Sequence, residues 1–256
     1  RNKFPKSSLN PTSSGDSYVH YGRNGNSLLV FEPQAEYKHK IKQHGIHALG
    51  GFTWQHSKKD GEFLTGRNYN HEGLLDLIEA AATITATNQF SEYKYASLFG
   101  RIRYDYAGKY ILQLQGRRDG SSRFGADNRW GVFPSTSIGW VLSDEGFLAN
   151  NSTVSFAKLR ASYGITGNNN IGNYTSYALV NNTINAVFGN TIVPGAAVTS
   201  LQNNNLGWET TTQFDIGLDL GLWDDRVSFV YDFYTKNTTN LLYAVQIPQE
   251  SGFTNF

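Results

Sequence analysis

Between Tyr93 and Trp140, hydrophobic and polar residues alternate with a period of two. One parity reads Ala96, Leu98, Gly100, Ile102, Tyr104 and Tyr106; the other reads Ser97, Phe99, Arg101, Arg103 and Asp105. That period sends the two sets to opposite faces of an extended strand. The chain turns at Tyr106-Ala107-Gly108-Lys109, and the pattern resumes with Tyr110, Leu112 and Leu114 against Gln113, Gln115 and Arg117. The prediction is a hairpin with one apolar and one strongly polar face.

The same alternation marks other segments. It runs from Ser27 to Lys38, where Pro33 interrupts the ladder because proline has no N–H to donate. It returns over His44 to Gln55, Val132 to Leu142, Phe156 to Ile165, Trp208 to Leu220 and Val227 to Lys236, with Trp223-Asp224-Asp225-Arg226 as a tight turn. About eight strands are thus expected. Residues 1 to 26, 57 to 92 and 167 to 206 read as loop, and Gly73 to Ala82 as one helix because Leu74, Leu77, Ile78 and Ala81 follow helical spacing.

A half-buried strand of a soluble sandwich alternates in the same way, so the pattern alone leaves the environment open. Three details favour a membrane. The strands reach the roughly 9 to 11 residues that a tilted strand needs to cross a bilayer. Tyr104, Tyr106, Tyr110 and Trp140 sit near the ends of the apolar parities, where an interfacial girdle belongs. Short turns alternate with long loops, which assigns the long loops to the cell exterior.

Composition agrees. With 39% hydrophobic, 14% aromatic and 17% charged residues and a mean hydropathy of -0.43, the chain is too polar for a bundle of membrane helices. A barrel can carry so polar a chain across a membrane, because its interior face stays wet. The net charge of +1 gives no electrostatic case for nucleic acid. Cysteine is absent, which removes disulfides and thiolate metal sites. His39, His44, His47 and His56 crowd together, but His44 and His47 fall on opposite faces and no carboxylate cluster joins them, so no metal and no cofactor is expected. Asp119 or Asp127 beside Ser121 invites an enzyme reading; no histidine or Gly-x-Ser-x-Gly elbow accompanies them, and a salt-bridged loop is the better reading.

The run RDGSSRFGADNRWGVFPSTSIGWVLSDEGFL resembles a signature block of the SusC/RagA family of TonB-linked outer-membrane transporters of Bacteroidetes. The resemblance continues through KLRASYGITGNNNIGNY, then NNNLGWETTTQFDIGLDLGLWDDRVSFVYDFYTKNTTNLL, and ends in IPQESGF. It covers Tyr93 to Phe256; residues 1 to 92 agree only in general character. The resemblance implies an all-β fold, an antiparallel section of a transmembrane barrel of about twenty-two strands. Residues 1–256 would then be an internal piece of one barrel domain, with signal peptide, plug and remaining strands elsewhere. It also implies a multi-pass outer-membrane importer of oligosaccharides or peptides, capped by a SusD-like surface lipoprotein and driven by the TonB complex through the plug.

No substrate residue carries over from the resemblance. Polar groups at outer strand ends and loops are the candidates for ligand contact: Arg117, Asp119, Arg123, Asn168, Asn169, Asn170 and Trp208. Asn amides offer paired hydrogen bonds and an aromatic face offers a stacking surface, which suits sugars. Two other classes stay open at this point, an outer-membrane barrel enzyme and a soluble carbohydrate-binding sheet protein.

Overall fold

The structure, a computed structural model, describes residues 1–9, 16–149, 151–248, 250, 252 and 253. Its strands, in chain order, are β1 (Asn2–Phe4), β2 (Tyr18–Phe31), β3 (Gln34–Ile41), β4 (His44–Tyr69), β5 (Ala81–Tyr106), β6 (Tyr110–Ser121) and β7 (Trp130–Val141). They continue with β8 (Val154–Asn168), β9 (Val180–Phe188), β10 (Thr191–Val198), β11 (Glu209–Leu222) and β12 (Val227–Thr239). The chain divides into two compact units, Arg1–Leu29 with His56–Tyr93, and Val30–Gln55 with Lys94–Phe256.

The second unit carries the long sheet. Its order is β4-β5-β6-β7-β8-β11-β12, with β3 paired to β4; among the described residues β9 and β10 pair only with each other. Among the described residues this order is an open path rather than a closed ring. The β5–β6, β6–β7 and β7–β8 ladders hold register without a shift, from Tyr106↔Tyr110 through Tyr110↔Trp140 to Val141↔Lys158. The β5–β6 turn places Ala107 and Gly108 at φ of 53° and 72°, a left-handed geometry that glycine adopts without cost.

Unbroken register makes the two faces continuous across the strands. The apolar face is not buried: Leu98 is 63% and Val132 65% exposed, and Ile102, Leu114, Ile138, Phe214 and Phe229 are also open. A soluble sheet would cover such a face, because apolar surface of this extent in water drives association. Aromatic side chains bound it. Tyr106, Tyr110 and Trp140 stack in sequence, at 6.4 and 6.2 Å between ring centroids. Tyr110 and Trp140 donate to the Glu145 carboxylate at 2.7 and 3.1 Å, so their polar ends leave the apolar band. At the far end of β7, Trp130 lies over Gly120 and under the Arg118 guanidinium at 5.1 Å. From Trp130 to Trp140 is about 33 Å along the strand, or about 25 Å along the normal at a tilt of about 40°, which matches a lipid-facing band of about 25 Å.

The first unit orders its strands β1-β2-β4-β5. Val19, Tyr69 and Leu75 form its small core, with Tyr21, Ala80 and Ala81 packed against them. Here the structure corrects the sequence reading. No helix spans Gly73 to Ala82; the segment makes two 3-10 turns, Glu72–Leu74 and Ile78–Ala80, before β5 begins. The Leu75 and Asp76 carbonyls, which a helix would give to N–H groups four residues on, instead accept from Arg1 and Tyr21. Residues 57 to 69 and 81 to 92 are not loop but the far parts of β4 and β5, each 26 residues long. Residues 18 to 26 belong to β2, and 180 to 198 hold the β9–β10 hairpin, giving twelve described strands rather than eight.

Carboxylates tie the N-terminal residues to this connection. Glu72 accepts from the Ser7 backbone N–H and hydroxyl at 2.8 and 3.0 Å, and Asp76 pairs with Arg1 and Lys3 at 2.6 Å each. The Ser7 N–H holds the Glu72 pKa below its ordinary value, and the Lys3 ammonium does the same for Asp76. A carboxyl whose pKa falls on folding contributes above the ordinary carboxylate range and loses that contribution as the pH drops through the lowered value. Protection of the amides in residues 1 to 9 of the intact receptor, measured as exchange relative to the intrinsic rate at each pH, is therefore expected to fall in acid, and Asp76→Asn should lower it already at neutral pH.

Candidate functional site

The face opposite the apolar band is polar in every strand. Ser97, Phe99 and Arg101 of β5 stand beside Asp119, Arg117 and Gln115 of β6, and these beside Gly131, Phe133 and Ser135 of β7. Farther along, Ser137, Ser162, Asp215 and Tyr234 continue the row across β7, β8, β11 and β12. Arg160 of β8 is its main cross-strand tie. The guanidinium reaches Asp219 at 3.3 Å and Asp215 at 3.6 Å on β11, and Asp232 at 2.5 Å on β12. It can do so because Gly217 lies between: a Cβ there would meet Arg160 Cζ and Asp232 Oδ1, both at 2.5 Å.

Arg117 and Asp119 form a second tie. Arg117 Nε donates to both Asp119 oxygens at 2.7 and 2.8 Å, Nη2 donates to the Tyr95 hydroxyl, and the guanidinium stands 5.6 Å from the Phe99 ring centre. Asp119 is buried, and so is Ser97 in the facing register position, whose Oγ has no hydrogen-bond partner.

Beyond the strand ends, the loops are sewn together around an apolar cluster. Phe124 is fully buried against Trp208, at 5.0 Å, and Phe133 meets the same indole edge-on at 5.2 Å. The Phe133 ring occupies the space that side chains at Gly131 and Gly167 would need. Trp208 Nε1 donates to the Arg129 carbonyl at 3.2 Å, and the Gly125 N–H donates to the Leu206 carbonyl at 3.2 Å. Arg123 donates to Asn173 Oδ1 at 3.0 Å and to the Asn169 carbonyl at 2.9 Å. Asn168 donates to Glu209 at 2.9 Å and accepts from the Asn170 N–H at 3.0 Å. The Asn168 amide and then the Leu242 N–H lower the Glu209 pKa below the usual value.

The seven candidate residues therefore do not converge on one cavity. Arg117 pairs with Asp119, Arg123 with Asn169, and Asn168 with Asn170, while Trp208 is buried in the loop core with its indole N–H engaged. Asn168 and Asn170 keep exposed side chains. Sequence reasoning passed over Arg160, Asp215, Asp219, Asp232 and Gly217 as a joint feature, although strand pairing of their parities carried the signal. Ser121 is buried, its Oγ accepting from the Arg123 N–H and Asn169 Nδ2 at 3.4 Å each. His44 bonds to Tyr104, His47 to Glu36 and His56 to Glu92. Among the described residues no three metal-binding side chains come together.

A sheet with an exposed apolar face between an aromatic row at one end and Trp130 at the other, and a salt-bridged polar face behind it, is the wall of an outer-membrane type of β-barrel. Residues 3–256 match the family described as TonB dependent receptor-like, beta-barrel, and the chain belongs to that family. It is 36% identical to TonB-dependent receptor P3 of Formosa agariphila, over 94% of this chain and 24% of the relative. It is 33% identical to the TonB-dependent receptor SusC of Bacteroides thetaiotaomicron, over 96% of this chain and 25% of that one. A chain of the RagAB peptide transporter superposes with a TM-score of 0.87 at 29% identity, covering 96% of this chain and 27% of its own length. The chain thus spans about a quarter of the length of these relatives. The SusC/RagA resemblance holds, the fold is that of a barrel section, and the relatives are receptors and a transporter rather than enzymes. Family membership carries an outer-membrane location with it.

Two substitutions separate wall from loops. Arg160→Met leaves Asp215, Asp219 and Asp232 facing one another, and because Arg160 is half-wet the expected cost is about 1 to 2 kcal/mol in urea unfolding of the full-length receptor. Trp208→Ala removes the centre of the loop cluster at about 3 kcal/mol locally. It should open residues 122 to 129 and 199 to 208 to protease while the barrel stays folded on heat-modifiability gels.

Proposed function

We propose that this chain supplies wall, polar lining and exterior loops to a multi-pass outer-membrane importer that takes up oligosaccharides or peptides. In this reading residues 1–256 are one section of a single barrel domain. TonB drives the transporter through a plug, and a SusD-like lipoprotein covers its outer mouth. The observation that carries the reading is the sheet itself: an exposed apolar band of bilayer height whose reverse face is held open by charge networks, in a chain related to SusC and RagAB. Such a wall encloses a wet passage rather than a packed core.

Of the seven candidate residues, Asn168 and Asn170 make substrate contact in this reading; Arg117, Asp119, Arg123, Asn169 and Trp208 hold the loop surface in shape. Neither an enzyme nor a soluble lectin-like sheet is favoured, since Ser121 is enclosed and the apolar face is uncovered. Deleting the full-length gene is expected to abolish uptake of its substrate, tested with fluorescent oligosaccharide and peptide pools, and removing TonB should do the same. Uptake of both pools unchanged in the deletion strain would sink the reading.

A further inference from the structure

The first unit closes one sheet face with its own core and leaves the other open. Val19 and Tyr21, one parity of β2, pack with Tyr69 and Leu75 beneath the turns of residues 72 to 80. The opposite parity, Tyr18 and His20, joins Phe4 and Phe63 in a row of rings. Phe4 stacks on Tyr18 at 4.5 Å, Tyr18 meets His20 at 5.1 Å, and His20 stacks on Phe63 at 5.3 Å. The Thr65 hydroxyl fixes the His20 ring at 3.1 Å. These aromatics are not the unit's core, since that core lies behind them, and Phe63 remains 46% exposed.

The neighbours of the row are hydrogen-bonding and shallow. Gly22 shares its parity and lies under the Phe63 ring, where a Cβ would touch it at 3.5 Å. Asn24 follows on the same side, its Oδ1 2.8 Å and the Gln89 Cβ 3.7 Å from where a Cβ on Gly61 would stand. Gln89 of β5 stands exposed beside them. Charge is one-sided. Arg67 stands 5.5 Å from the Tyr18 ring centre, and Lys59 shares the parity of Gly61 and Phe63. The carboxylate of Asp60 lies against Gly25, on the reverse side, and Glu62 follows that parity. Within the strands this face holds cations and no acid.

Aromatic planes offer stacking to the C–H faces of sugar rings, amides and hydroxyls match sugar hydroxyls, and isolated cations attract anionic substituents. A lipid would make no use of Asn24 and Gln89, and a peptide added as a strand needs an unpaired edge rather than a face. We propose that the row Phe4, Tyr18, His20 and Phe63, flanked by Arg67 and Lys59, binds an acidic oligosaccharide, one carrying uronate or sulfate groups. This deepens the importer reading by naming a substrate class, and it rests on that reading only for the side of the membrane.

The test is titration of the detergent-solubilised full-length receptor with oligogalacturonate, oligoalginate and chondroitin sulfate fragments, with maltoheptaose as neutral control and a random peptide pool as the competing class. At least one acidic sugar should bind more tightly than maltoheptaose, and added salt should weaken it. Phe63→Ala should lower that affinity about tenfold or more, the loss of one good stacking contact. Arg67→Gln should narrow the gap between acidic and neutral sugars. Phe90→Ala, on the reverse face at 59% exposure, should change nothing. Binding by none of the three acidic sugars, equal affinity in wild type and Phe63→Ala, or capture of the peptide pool through Phe63 would each overturn the proposal. A receptor that binds through Phe63 yet imports nothing in cells leaves the site standing and removes the importer.

Discussion

A peptide group that enters lipid must find its hydrogen bond inside the protein, and in this chain the cross-strand ladder meets that demand. The rest follows from register. From β5 to β8 no residue is skipped, so the parity set at Tyr106↔Tyr110 is carried to Tyr110↔Trp140 and on to Trp140↔Leu159. A slip of one residue on β5 would turn Arg101, Arg103 and Asp105 toward lipid and Leu98 and Ile102 inward. The left-handed turn at Ala107-Gly108 and the Glu145 clamp on Tyr110 and Trp140 pin the register where a slip would begin.

The wet face has the opposite problem. Without lipid or a close-packed core against it, its side chains must be held by one another. Arg160 does this across three strands, and the requirement reaches into the backbone, since only glycine at position 217 lets the guanidinium pass. Farther out, the same need is met by apolar packing: Phe124, Phe133 and Trp208 enclose one another, and Gly131 and Gly167 leave room for the Phe133 ring. Each desolvated ring there contributes more than any of the exposed hydrogen bonds around it, so Trp208 anchors the loops while Asn168 and Asn170 ride on them.

What was legible in the sequence tracks how one-sided each strand is. The Tyr106 and Trp223 turns, the interruption at Pro33 and the strands β7, β8, β11 and β12 stand where alternation put them, because lipid on one side forces a clean contrast. The far halves of β4 and β5 escaped notice because both parities are polar there: Lys58, Lys59, Asp60 and Glu62 erase the period, and Thr83, Thr85 and Thr87 blur it. Residues 73 to 82 show the converse error, in which helical spacing was real but ten residues without intrahelical partners for Leu75 and Asp76 could not sustain a helix against the claims of Arg1 and Tyr21. Trp208 was legible as an aromatic at a loop end, yet whether such a ring faces solvent or a core depends on Phe124 and Phe133, which lie far from it in sequence.

The same contrast locates where this wall can vary. Between the aromatic ends of the wall, one parity answers to lipid and the other to the wet face, so few substitutions satisfy both. Past those ends the demands cease. Residues 171 to 208 contain no charged side chain at all, and Val187, Phe188 and Ile192 of the β9–β10 hairpin are open. Among the described residues the hairpin pairs with no other strand, and two strands alone gain little from their own hydrogen bonds in water. Its position therefore depends on what it touches, whereas the wall's register depends only on the wall.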